Sequence, residues 1–287
     1  MTTTAAHPPE FYDVQYNARA GIPDHPQLFA RWAAASAQVR ATAPALLDMA
    51  YGPAAGEQLD FFSCGKADAP LLVFIHGGWW RSLDKSDFSF LVPGFTSAGI
   101  NVALTNYTLA PEASLEEITL QQTRALSWLY LHSGAGLFDR DRIVIAGHSA
   151  GAHLSAMLMT TLWPQVDARL PPNLIKAGIL LSGLYDLAPV EHASFVNVDL
   201  KLTPARIDRL SPARLPQSHS IPFFTAVGAL ESDEFKRQNA LIGTVWPDTH
   251  TGDIALPACN HLTICDAFAT PGHPLFETAV TLASIAR

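Results

Sequence analysis

Between residues 71 and 256 the chain alternates short apolar runs with helix-length patterns, and one junction is constrained far more tightly than the others. Arg142-Ile-Val-Ile-Ala146 is too short and too β-branched for a helix, and the pattern after it is helical until Trp163-Pro164 stops it. Between the two stands Gly147-His-Ser-Ala-Gly151. A serine on so sharp a strand-to-helix turn holds a strained backbone, and its flanking residues must lack bulk where chain segments cross closely. Gly147 and Gly151 meet that demand.

The remaining runs fit the same scheme. Leu71–His76, Ile100–Tyr107, Ala177–Ser182 and Phe223–Val227 read as strands, with a final strand around Asp253–Leu256. Ser114-Leu-Glu-Glu117 reads as a capping box opening a helix to about His132, ahead of Gly134 and Gly136. Further helices are expected over Glu234–Trp246 and Pro274–Ile285. Strand alternating with helix predicts an α/β fold: a mainly parallel sheet covered on both faces. The first sixty residues read as a helical prelude, most periodic from Leu28 to Val39. The stretch 184–222 carries Pro189, Pro204, Pro212, Pro216 and Pro222 and breaks the rhythm, as a small cap-like insertion would. No repeat or linker divides the chain, so a single domain over 1–287 is expected.

Composition narrows the function classes. Hydrophobic residues make up 48% and charged residues 15%, against a usual charged share of about 25%, which excludes a disordered chain. The net charge is −8, and with no Lys/Arg cluster there is no basic face for nucleic acid. Cys64, Cys259 and Cys265 form no CxxC and are expected as reduced thiols. The start, MTTTAAHPPEFYD, lacks the pattern of a secretory signal, and no apolar run approaches the ~18 residues of a membrane span. A soluble, cytoplasmic protein is expected, and exposed apolar surface on 184–222 leaves a homodimer open.

The chemistry-bearing residues gather around the pentapeptide. Ser149 would be lifted above the sheet edge as a nucleophile. His76-Gly-Gly-Trp-Trp80 lies roughly seventy residues upstream, after an earlier strand. Its paired glycines let the amides of Gly78 and Trp79, with that of Ala150, face a developing oxyanion. His76 itself is expected to fix that loop by hydrogen bonding. A serine needs a base, and the base needs a carboxylate. In chain order Ser, acid, His, the bases downstream are His192, His219, His250, His261 and His273. His192 and His219 lie in the insertion, and His273 suits a helix cap. His261, after the final strand, is the preferred base. Glu231 comes first after the preceding strand and is the preferred acid, with Asp186 as the other candidate. Asp233 and Glu234 suit the start of the next helix. Trp79 and Trp80 could wall a narrow acyl pocket, with Trp80 equally suited to the core. Tyr185 and Phe195 could line the pocket or fill the insertion's core.

These residues carry a resemblance. His76–Trp80, Asn106-Tyr-Thr-Leu-Ala-Pro-Glu112, Gly147-His-Ser-Ala-Gly-Ala-His153, Ser182-Gly-Leu-Tyr-Asp186 and Glu231-Ser-Asp-Glu-Phe-Lys-Arg-Gln238 resemble the α/β-hydrolase superfamily. The likeness is to the kynurenine formamidase (arylformamidase) branch, close to the hormone-sensitive-lipase-like esterases. It extends to Tyr16-Asn-Ala-Arg19 and Leu59-Asp-Phe-Phe62. The branch usually has aspartate where Glu231 stands. The resemblance implies a cofactor-free serine hydrolase of N-formylkynurenine or a related aryl formamide or ester. A general short-chain carboxylesterase and a disabled, binding-only hydrolase fold are the alternatives. A metal-dependent hydrolase is disfavoured, because no H-E-x-x-H exists and His148 and His153 are not at i, i+4 spacing.

Overall fold

A computed structural model of the chain describes residues 7–132 and 136–286. Its centre is an eight-stranded sheet in the order β1-β2-β4-β3-β5-β6-β7-β8. The strands are β1 (Ala45–Ala50), β2 (Gln58–Phe62), β3 (Leu71–Ile75), β4 (Asn101–Thr105), β5 (Ile143–His148), β6 (Ile175–Leu181), β7 (Phe223–Gly228) and β8 (His250–Leu256). All pairings from β4 to β8 are parallel, while β1–β2 and β2–β4 are antiparallel. Chain order reverses at β3: β4 lies on one side of it and β5 on the other. The loops leaving β3 and β5 therefore diverge, opening a crevice at the carboxyl ends of the strands.

Side-chain period divides the core. Leu71, Val73 and Ile75 of β3 with Ile143 and Ile145 of β5 pack on one face, while Leu72, Phe74, Val144 and Ala146 pack on the other. Both faces are apolar because both are covered, so these strands read as continuous apolar runs. Helices α4 (Leu115–His132), α5 (Ala150–Met159), α6 (Trp163–Val166) and α9 (Asp233–Val245) cover the first face. Helices α2 (His25–Thr42), α3 (Val92–Ser97), α10 (Thr263–Ala269) and α11 (Pro274–Ile285) cover the second.

Two expectations change. The prelude is helical only in α1 (Pro9–Tyr16) and α2, because residues 45–50 and 58–62 join the sheet as β1 and β2. β1 is an edge strand whose side chains are largely exposed, so no burial alternation marks it. The capping box at Ser114 is half made. Ser114 Oγ accepts from the Glu117 amide at 3.2 Å, but the Glu117 carboxylate turns to Arg124. Gly134, expected beyond that helix, and Met1–Ala6 of the start lie outside the described residues.

The segment 184–222 lies between β6 and β7 and forms α7 (Ser194–Leu200) and α8 (Pro204–Leu210) with two short 3-10 turns. His153 of α5 ties it down, with Nε2 donating to the Leu210 carbonyl at 2.7 Å. Asp13 of α1 accepts from the Ser194 amide and hydroxyl at 2.7 and 2.6 Å. Prelude and insertion thus join over the carboxyl end of the sheet. Among the described residues no helix is long and apolar enough to cross a membrane.

Candidate active site

Ser149 sits between β5 and α5 at φ 55° and ψ −118°, a left-handed conformation that L-residues avoid unless the surroundings impose it. The surroundings do so by close approach. A Cβ on Gly147 would lie 2.2 Å from the Gly151 carbonyl oxygen, and one on Gly151 would lie 2.0 Å from that of Ile75. The two glycines let β3, β5 and the first turn of α5 press together, and the serine is pushed up.

His261 is held in register from its own loop. The Asn260 side chain accepts from the Leu262 and Thr263 amides, both at 2.9 Å, turning the chain into α10. His148 Nε2 donates to the His261 carbonyl at 2.7 Å, and the Phe235 ring lies 4.3 Å from the imidazole. His261 Nδ1 donates to Glu231 Oε2 at 2.6 Å, which leaves Nε2 to accept from Ser149 Oγ at 3.0 Å. The other oxygen of Glu231 accepts from Ser182 Oγ at 2.6 Å and from the Gly228 amide at 2.7 Å. Three donors fix a carboxylate whose side chain is 0% exposed. The chain hydroxyl–imidazole–carboxylate is unbroken.

Asp186 does not reach this chain. Its carboxylate accepts from the Ala188 amide at 3.2 Å and pairs with Arg214 at 3.0 Å, which makes it a turn cap. His273 caps α11 by accepting from the Leu275 amide at 3.2 Å, and His250 opens β8.

The loop after β3 carries the paired glycines. Gly78 has φ +108°, and Trp79 and Trp80 follow at 56° and 57°. The Gly78 carbonyl accepts from the amides of Arg81 and Ser82 and from Ser82 Oγ, at 3.1, 3.0 and 2.9 Å. A Cβ on Gly78 would lie 2.0 Å from the Ser82 carbonyl oxygen. Among the described residues no carbonyl accepts from the Gly78 or Trp79 amides. Ala150 opens α5, so its amide is one of the helix's unpaired first-turn donors. His76 braces the loop, with Nδ1 donating to the Gly77 carbonyl at 2.7 Å and Nε2 meeting Asn106 Oδ1 at 3.0 Å. Its ring stacks on Tyr107 at 4.5 Å, and burial lowers its pKa.

The cavity at Ser149 is small, about 30 Å³, and is lined by Ser149, His261, Gly78, Trp79, Arg19 and Phe88 among others. A neighbouring cavity of about 90 Å³ lies between Glu231, His261 and the turn after α1. Two expected pocket residues are elsewhere. Trp80 is 0% exposed and packs edge-on against His153 at 4.9 Å. Tyr185 is also 0% exposed, because Gln238 accepts from the Tyr185 and Asp186 amides and turns the ring into the core. Phe195 packs edge-on against Trp79 at 5.6 Å. Trp79 alone of these lines the cavity. Arg19, Ser182 and His148 have no role that is legible in the sequence. Their functions depend on contacts across 63, 49 and 113 residues, and a linear pattern carries no such signal. Among the described residues, no three His, Cys, Asp or Glu side chains are grouped as a metal site requires.

Comparison with known proteins gives the lineage. The BD-FAE family model matches residues 59–188. A kynurenine formamidase from Danio rerio is 35% identical over 212 residues, covering 70% of this chain and 69% of its own length. That from Salmo salar is 34% identical, with 70% and 68% covered. The chain belongs to the kynurenine formamidase family. It is an enzyme, a hydrolase of the formamidase–esterase type, with the α/β-hydrolase fold. A crystal structure from Silicibacter sp. TM1040, a candidate thioesterase, superposes with a TM-score of 0.83 at 28% identity, covering 95% of this chain and 98% of that one. Esterase LipW from Mycobacterium marinum shares the fold at a TM-score of 0.69 and 19% identity, covering 94% and 91%.

Proposed function

We propose that Ser149, His261 and Glu231 are nucleophile, base and acid of a serine hydrolase that cleaves a formyl or short-chain acyl amide or ester of an aromatic compound. The observation that carries this reading is the hydrogen-bonded chain of 3.0 and 2.6 Å ending on Ser149, set beside amides that have no carbonyl partner among the described residues. Ser149 Oγ attacks the acyl carbon while its proton passes to His261 Nε2, and Glu231 stabilises the imidazolium. The amides of Gly78, Trp79 and Ala150 hold the oxyanion. Collapse expels the amine or alkoxide, which takes the proton from Nε2. Water activated by the same imidazole then releases the acid.

The space beside Ser149 favours the small acyl group. At about 30 Å³ it is narrow, which suits a formyl or short acyl group better than a long chain. Trp79 offers an aromatic wall for the leaving group. The relatives' names as kynurenine formamidases support an N-formylated aromatic amine as the substrate class. A cytoplasmic setting is part of this reading, with which the free thiols of Cys64, Cys259 and Cys265 are compatible.

The test is kcat/KM on N-formylkynurenine beside that on a short-chain aryl ester, with Ser149→Ala as the blank. A preference for the formamide supports the reading. Efficient ester cleavage with negligible formamidase activity replaces it with a carboxylesterase; a relative from Mycobacterium tuberculosis, 31% identical over 137 residues, is named esterase LipC.

A further inference from the structure

The segment that closes over Ser149 carries a charge with no counter-charge. Arg19 lies in the turn after α1, where its carbonyl accepts from the Ile22 amide at 3.1 Å, and it lines the same cavity as Ser149, Gly78 and His261. Its guanidinium donates to Ser82 Oγ at 3.0 Å and lies 5.2 Å from the centre of the Phe29 ring. Among the described residues no carboxylate pairs with it. The other arginines of the first sixty residues behave differently: Arg31 pairs with Asp266 at 2.7 Å, and Arg40 pairs with Asp60.

A second cation makes the imbalance worse. Arg81 stands close enough to repel Arg19, and burial and that repulsion both lower the Arg19 pKa. Arg81 is itself paired, with Asp199 at 2.5 Å, so that carboxylate is already engaged. The carboxylate of Glu231 is likewise committed, to His261, Ser182 and Gly228. A guanidinium stays charged at any ordinary pH, and Arg19 keeps that charge half-buried at the cavity with no counter-ion among the described residues. A site that keeps such a cation beside its nucleophile is arranged for an anion that arrives with the ligand. A guanidinium fork matches a carboxylate with two parallel N–H···O bonds.

We propose that Arg19 is the anion-recognition residue of the site, binding a carboxylate on the leaving-group side of the substrate. The preferred substrate is then an aryl amide or ester that carries a carboxylate, and its neutral analogue is a poor one. Ser82 links this recognition to the chemistry, because its hydroxyl accepts from Arg19 and donates to the Gly78 carbonyl at 2.9 Å. Anion binding at Arg19 therefore bears on the loop that presents the oxyanion amides. The assignment rests on the hydrolase reading above for its site.

The experiment compares two ligands that differ only in charge, N-formylkynurenine and its primary carboxamide. Dissociation constants are measured by calorimetry on Ser149→Ala protein, where turnover cannot intrude, and kcat/KM on the unmodified enzyme. The carboxylate is expected to bind at least about tenfold tighter than the amide. In Ser149→Ala protein carrying Arg19→Gln that preference should shrink to within about threefold, and with Arg19→Lys part of it should return. No preference in the parent overturns the proposal. So does an equal weakening of both ligands by Arg19→Gln, which would mark a strap between Phe29 and Ser82. Arg19-dependent binding without turnover of either compound would refute the proposed reaction and leave the assignment of Arg19 intact. Equal turnover of both would do the reverse.

Discussion

The two ends of the parallel strands carry cavities of opposite character. At the amino ends of β6, β7 and β8 an open groove of about 810 Å³ runs between Ile175, Phe224, Thr251 and α11. At the carboxyl ends the space beside Ser149 is about 30 Å³. The large groove has α11 along one side, and although His219 and Ser220 line it, no histidine there is hydrogen-bonded to a hydroxyl among the described residues. The small one has a serine at φ 55°, Trp79 at φ 56°, amides without carbonyl partners among the described residues and a buried three-residue hydrogen-bond chain. Volume is a poor guide to chemistry in this fold. Strain held in place by close packing is the better one.

The comparison breaks most readily at the small end. Ser149→Ala should lower kcat by about 10⁶ with little change in thermal midpoint, and retention of activity would move the chemistry elsewhere. Glu231→Gln keeps the shape but offers an amide where His261 needs a carboxylate, so a loss of about 10⁴ in kcat is expected. A loss below tenfold would remove Glu231 from the relay. Gly78→Ala drives a Cβ into the Ser82 carbonyl and displaces the amide donors, and kcat should fall by about 10²–10³. An equal rise in KM with kcat intact would show instead that the loop serves binding alone.

Acid should expose the buried histidines. Burial lowers the pKa of His76 and drives that of His148 well down, and His153 is lowered to about 4. In the unfolded chain each takes a proton near pH 6.5. The unfolded state therefore binds more protons between about pH 6.5 and 4, and stability falls as pH drops through that window. Denaturation midpoints should decline from pH 7 to 4. His153→Asn, which can still donate to Leu210, should flatten the slope, and an unchanged slope would remove His153 from the account. The smallest effect belongs to the groove. Thr281→Trp, which would fill part of it, should leave kcat/KM within about twofold, and a tenfold change would tie that end to catalysis.

Legibility in the sequence follows the same division. Local chemistry marked β3, β5, α11, the glycine-flanked serine and the relay partners, because each depends on neighbours in the chain or on the order of elements. Glu231 and His261 could be read from order alone, as the first acid and a later histidine after successive strands. What stayed hidden depends on distant contacts. β1 takes its strand form from pairing with β2, with Ala45 opposite Phe62, and carries no burial pattern of its own. Tyr185 points inward because Gln238, 53 residues later, captures its amide. Trp79 and Trp80 are adjacent in sequence yet divide between cavity and core, which only the loop's left-handed backbone decides.

The most direct test of the central claim is covalent capture with an aryl phosphonate, read by peptide mass spectrometry. The account predicts a single adduct on the peptide that contains Ser149, absent in Ser149→Ala and formed much more slowly in Glu231→Gln. An unlabelled protein, or an adduct on another residue, would contradict it.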